Sequence, residues 1–289
     1  MGFLEIMENP LLAEHILHQV DALSLSSLQR TSHQTKRLVE AHYAHAFRTL
    51  LARYLKDVDG FLYLLRRIDG CITGSQALKV IMNDAEAIWE AKDLDISVPK
   101  GSTCILCSYL ERFESYTGND RECDANGKTT WSEERLGYHQ ILKRQRLKSV
   151  TKMVGRNGQK IDILESNTCN CIAPLCEFHS TAVINALFPE RITCFFPKYT
   201  LRYRSIPNAL YQRERDHRSV AKYTGRGWQP IRHAKAILEE EVLLANTWNI
   251  DVSFVLPDWT EVGEAAEARE DIWSMREAKR SVEEVITKS

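Results

Sequence analysis

At 289 residues the chain can bury a sizeable core, in one large domain or two modest ones. Its composition, 44% hydrophobic and 27% charged, is ordinary for a soluble globular protein. No apolar run reaches the roughly 20 residues that span a bilayer, so no membrane partner is expected. The net charge of −1 hides a strong asymmetry. Arg135 to Lys160 holds eight basic residues and no acid, and Arg191 to Lys235 holds eleven against Glu214 and Asp216. From Glu261 onward eight acids face five bases. Basic runs in the middle of the chain suit an anionic ligand, and they also suit solvated faces that balance one another.

The start, "MGFLEIMENPLLAEHIL", has no basic n-region and no small-residue cleavage site, which predicts no secretory signal. The eight cysteines show no small-scaffold spacing, so reduced thiols in a cytoplasmic or nuclear protein are expected.

In chain order, residues 8 to 55 read as helices. Asn9-Pro10 gives a cap followed by proline at the first helical position. Leu12, Ile16, Leu17 and Val20 fall on one face. A second short helix turns Leu25 and Leu28 inward, and a third runs from about Ser32 through Leu55. Next come a helix "VDGFLYLLRRID", a short buried strand "GCIT", a helix "GSQALKVIMND" and a strand "DLDISVP" closed by Pro99. "STCILCSYLERFESY" reads as an amphipathic helix and Thr117 to Gly137 as an exposed polar loop. "LKSVTKMVGRNGQKIDILES" reads as a hairpin turning at "GRNG". "FHSTAVINALF" is predicted as a helix, "TCFFP" as a strand, and residues 208 to 247 as largely helical. The tail beyond Glu264 is a charged helix. Strands alternating with helices predict an α+β fold with an α/β-type core: a small mixed sheet flanked by helices, with helical N- and C-terminal regions. The expected divisions are 1–55, 56–205 and 206–289.

One stretch joins two chemistries. A helix N-terminus presents unpaired N–H groups and a positive dipole end, which attract phosphate. Gly74 lets a phosphate approach the backbone, and Ser75 can cap the helix or donate its hydroxyl. On the following strand, residues two apart share a face, so Asp93 and Asp95 project together while Leu94 and Ile96 face the core. Adjacent carboxylates repel unless a cation lies between them, and Mg²⁺ binds carboxylates together with phosphates. Asp162, flanked by Ile161 and Ile163 in the hairpin, is a third carboxylate of the same kind. If its strand lies beside the first, the three should converge within metal-bridging distance and serve a two-metal displacement at phosphorus. Asp93 and Asp95 would hold the metals, and Asp162 would complete the site and help deprotonate an acceptor hydroxyl. Read singly, Gly-Ser is also a turn with a cap, and Asp-x-Asp an exposed edge.

These residues resemble the nucleotidyltransferase superfamily, the fold of DNA polymerase beta, over roughly residues 58 to 200. "TGSQALKV", "DLDISV" and "KIDILES" correspond to its Gly-Ser, paired-acid and third-acid segments. The resemblance implies an NTP substrate with Mg²⁺, two ions being expected, and transfer of a nucleotidyl group to an acceptor hydroxyl on RNA, a protein or a small molecule. Thr73 stands where the family carries a hydrophobic residue. Seventeen residues separate Ser75 from Asp93, more than usual, which implies a longer helix or a loop at "NDAEAIWEAK".

The N-terminal helices, through Pro10, Leu11, Ile16, Leu17, Leu25, Leu28 and Leu38, resemble an F-box. That implies a Skp-type adaptor as partner, and with it the rival reading of a non-catalytic ubiquitin-ligase adaptor whose three aspartates are a relic. Lys198, Arg202 and Arg204 alternate along "PKYTLRYR" and are candidate phosphate contacts on one face of a strand. "KYTGRGW" mixes bases, aromatics and glycines. It suits base stacking or phosphate, and equally a turn with Trp228 buried. Cys104 and Cys107 are expected on a helix's apolar stripe. Cys169, Cys171, Cys176 and His179 have a spacing that matches no zinc pattern.

Overall fold

The computed structural model describes residues 9–83, 89–118, 122–123, 129–130, 146–207, 214–231 and 250–252. In chain order these form α1 (Pro10–His18), α2 (Ala22–Leu28), α3 (His33–Ala52), α4 (Val58–Arg67), β1 (Cys71–Thr73), α5 (Gly74–Met82), β2 (Asp93–Val98), α6 (Thr103–Arg112) and β3 (Tyr116–Gly118). Next come β4 (Glu122–Cys123), β5 (Thr129–Thr130), β6 (Leu147–Gly155), β7 (Lys160–Ser166), β8 (Asn185–Phe188) and β9 (Arg191–Cys194). The last are α7 (Pro197–Thr200), β10 (Arg204–Ser205), α8 (Glu214–Thr224), β11 (Gln229–Pro230) and β12 (Ile250–Val252).

Two compact units interleave along the chain. The first takes the described residues of Met1–Leu50, Thr73–Ala91 and Phe178–Val255, and the second those of Leu51–Ile72 and Lys92–Glu177. We propose the division into residues 1–55, 56–205 and 206–289 as the domain organisation of the chain.

In the first unit β8, β9 and β12 pair antiparallel. A core of Leu78, Met82, Ala182, Val183, Tyr223 and Trp228 packs with Trp89, Phe178, Leu201 and Tyr203. Helix α5 is capped by Asn83, which adopts a left-handed φ of 47° and tolerates it better than most residues. Its amide nitrogen donates to the carbonyls of Leu17 and Val20, both at 2.8 Å. Because that nitrogen is spent as a donor, its oxygen accepts from His42 Nε2, also at 2.8 Å. Burial holds the His42 imidazole below its usual range.

In the second unit the strands run β1-β2-β7-β6-β3. Strands β2 and β7 are parallel, and β7–β6 and β6–β3 antiparallel, a mixed sheet within a mixed α/β fold. The hairpin turns where the sequence predicts, with Gly158 at φ +80° and its N–H donating to Gly155 O at 2.9 Å. Glu114 accepts from the N–H groups of Lys56 and Asp57 at 2.6 and 3.1 Å. These lie just before α4, where a carboxylate also complements the helix dipole.

Several local expectations are corrected. "FHSTAVINALF" is no helix: Thr181–Val183 makes a single 3₁₀ turn and Asn185–Phe188 is strand β8. Its alanines favour helix, but pairing with β9 supplies backbone partners that propensity cannot foresee. Helix α6 stops at Arg112, and Tyr116 already pairs with Gly155. Within the expected polar loop, β4 pairs antiparallel with β5. On α1 Ala13 and Leu17 are buried, while Leu12 is 48% exposed. Cys107 is buried but Cys104 is exposed, so the pair does not share an apolar stripe. The predicted tail helix lies outside the described residues.

Candidate active site

Strand alternation in the second unit sorts the candidate residues. Leu94, Ile96, Ile161 and Ile163 are all 0% exposed and lock one face of β2 and β7 into the core. Asp93, Asp95 and Asp162 therefore emerge together on the other face, each partly exposed. Asp95 and Asp162 are direct register partners across the parallel pair, and Asp93 lies opposite Lys160. Across the hairpin Asp162 lies opposite Lys152. One row across three strands is thus Asp95, Asp162, Lys152.

Lys152 Nζ lies 3.8 Å from Asp162 Oδ2. Burial is the largest influence on Asp162 and pushes its carboxyl above the usual aspartate range. Lys152 opposes that shift and the charge of Asp93 adds to it. A carboxyl raised this way binds its proton more tightly folded than unfolded. Its ionisation therefore costs stability as pH rises from the ordinary value of 3.8 through the raised one. Asp162→Asn is expected to melt higher than the parent at neutral pH in the presence of a chelator. The gap should close below about pH 4, where both states of the parent hold the proton. Paired melting curves across pH check this; a variant that melts lower at pH 7 contradicts it.

The carboxylates share a face without forming a ready-made cage. Among the described residues no group of three or more His, Cys, Asp or Glu is arranged to hold a metal ion; Asp95 and Asp162 are direct register partners beside Asp93, and a metal site shared by all three is a proposal. The donor set still fits Mg²⁺ as that ion is most often held: by one or two carboxylates, with substrate phosphates and water completing its shell. Asp93 and Asp95 are such a pair.

The other candidates lie in the first unit. Gly74 opens α5 at φ +69°, a conformation that favours glycine, and Ser75 is 6% exposed. Thr73 is fully buried, and its hydroxyl donates to Asn185 O at 2.7 Å. That bond accounts for a polar residue where the family pattern has an apolar one. Helix α5 ends at Met82, with Asn83 as its C-cap. Lys198, Arg202 and Arg204 do not line one strand. Lys198 sits in α7, Arg202 follows that helix, and Arg204 begins the two-residue β10. All three are exposed. In "KYTGRGW", Tyr223 and Trp228 are 4% and 1% exposed, which favours the buried-turn reading. Arg226 stacks on Trp89 and Tyr223 at 4.4 and 4.9 Å.

Two functional-looking residues escaped the sequence reading. Lys152 was one base in a basic run; counting along the hairpin from "GRNG" would have placed it opposite Asp162. Glu165 is 5% exposed and accepts from Lys148 Nζ at 2.7 Å, Gly101 N at 2.7 Å and Ser149 Oγ at 2.9 Å.

Among the described residues no helix is long and apolar enough to cross a membrane. No family model and no curated protein matches the chain, so the F-box resemblance of residues 1–55 gains no support. Among solved structures the chain is similar to a CCA-adding enzyme in its apo form I, at 12% identity and a TM-score of 0.36. That likeness covers 68% of this chain and 45% of the other, so the chain spans less than half of that protein's length. A likeness of that size adds nothing to the reading of the site.

Proposed function

We propose that the second unit carries a nucleotidyltransferase-type site: Asp93 and Asp95 bind Mg²⁺ with a nucleoside triphosphate, and a nucleotidyl group passes to an acceptor hydroxyl with release of pyrophosphate. The observation that supports this is the placement of Asp93, Asp95 and Asp162 on one partly exposed face by the parallel pairing of β2 and β7. When bound, Mg²⁺ supplies neutralisation of phosphate charge and Lewis-acid polarisation of a phosphoryl oxygen. Asp162 receives the proton of the acceptor hydroxyl at its carboxylate, a role suited to a carboxyl raised toward working pH. Gly74, Ser75, Lys198, Arg202 and Arg204 remain proposed phosphate contacts on the strength of their residue types alone.

The test is incorporation of labelled NTP into a mixture of RNA, protein and small hydroxyl acceptors with Mg²⁺. Label should enter one acceptor class and vanish on chelation of the metal. Absence of transfer to every class, together with absence of Mg²⁺-dependent NTP binding, would refute the assignment.

A further inference from the structure

We infer that the carboxylate face takes one divalent cation, because the ammonium of Lys152 fills beside Asp162 the place of a second. This deepens the proposed nucleotidyltransferase reading and rests on it. Lys152 is delivered by the hairpin itself: β6 and β7 are in unbroken register from Val150–Leu164 to Val154–Lys160, which sets Lys152 opposite Asp162. Its Nζ is 3.8 Å from Asp162 Oδ2, with the side chains 37% and 17% exposed. On the same face Lys160 stands opposite Asp93.

Among the described residues that these registers place on the face, three carboxylates and two ammonium groups give a net charge of −1. One dication brings it to +1, which a triphosphate then outweighs. A second would raise it to +3 before any phosphate arrives, and would have to compete with an ammonium already beside Asp162. Asp162 thus acts on the acceptor proton without serving as a metal bridge, and Lys152 is a positioning residue that keeps it so.

Mn²⁺ titration of the full chain, with free Mn²⁺ read by electron paramagnetic resonance, tests this without any turnover. Wild type should bind one equivalent, and Asp93→Asn with Asp95→Asn none. Lys152→Met should bind two, falling back to one when Asp162→Asn is added, while Lys152→Arg stays at one. Two equivalents in wild type, or one in folded Lys152→Met, would overturn the inference and leave the proposed function standing. No binding by wild type would count against the metal site itself. Lys152→Gln, which removes the charge and keeps a polar side chain, should also bind two and serves if Lys152→Met fails to fold; one equivalent there overturns the inference.

Discussion

Nucleotide transfer by the Asp93→Asn, Asp95→Asn double variant should fall by about 10²-fold or more, with the melting temperature unchanged or slightly raised. The activity loss follows from the chemistry: charge neutralisation at a phosphoryl group is worth several kcal/mol of barrier, and each ~1.4 kcal/mol is tenfold in rate. The preserved fold follows from the sheet. Leu94 and Ile96 hold β2 in place at 0% exposure, and Asn is nearly isosteric with Asp on a partly exposed face. Removing two neighbouring negative charges also relieves repulsion toward Asp162, whose carboxyl is pushed up in part by Asp93. Labelled-NTP incorporation beside matched melting curves checks both halves. Equal labelling by parent and variant would count against these carboxylates.

Glu165→Ala is expected to destabilise the fold by about 2–4 kcal/mol. Its carboxylate is buried and joins the turn after β2, through Gly101, to β6, through Lys148 and Ser149. Truncation removes three hydrogen bonds to an ionised acceptor and strands their donors, although Lys148, 46% exposed, can turn to water. Burial alone would raise this carboxyl; Lys148, the Gly101 N–H and Ser149 together hold it below the ordinary value of 4.5. A depressed carboxylate contributes stability above its unfolded pKa and loses it as pH falls through the folded one. The cost of the variant should therefore be full at pH 7 and shrink in acid. Urea unfolding, with a lower midpoint and an unchanged slope, is the measurement.

Two carboxylates three positions apart on β7 thus behave oppositely. Asp162 is half-buried with one lysine at 3.8 Å and shifts upward. Glu165 has three donors within 2.9 Å and shifts downward. Both are acidic residues amid apolar ones in "KIDILES", and nothing local separates them. The donors to Glu165 come from the turn after β2 and from β6, so only pairing across strands separates the two carboxylates.

Period-two alternation along "DLDISV" was enough to put Asp93 and Asp95 on one face, because that consequence is local to a single strand. The turn signal "GRNG" likewise fixed the hairpin, and Gly-Ser the start of α5. Tertiary structure decided the rest. Parallel register between β2 and β7, segments more than sixty residues apart, set Asp162 beside Asp95. Pairing with β9 made "NALF" a strand, whereas the place of Lys152 against Asp162 follows by counting from "GRNG". The parallel register depends on backbone hydrogen bonds to a partner distant in sequence, whose choice and offset no local periodicity encodes.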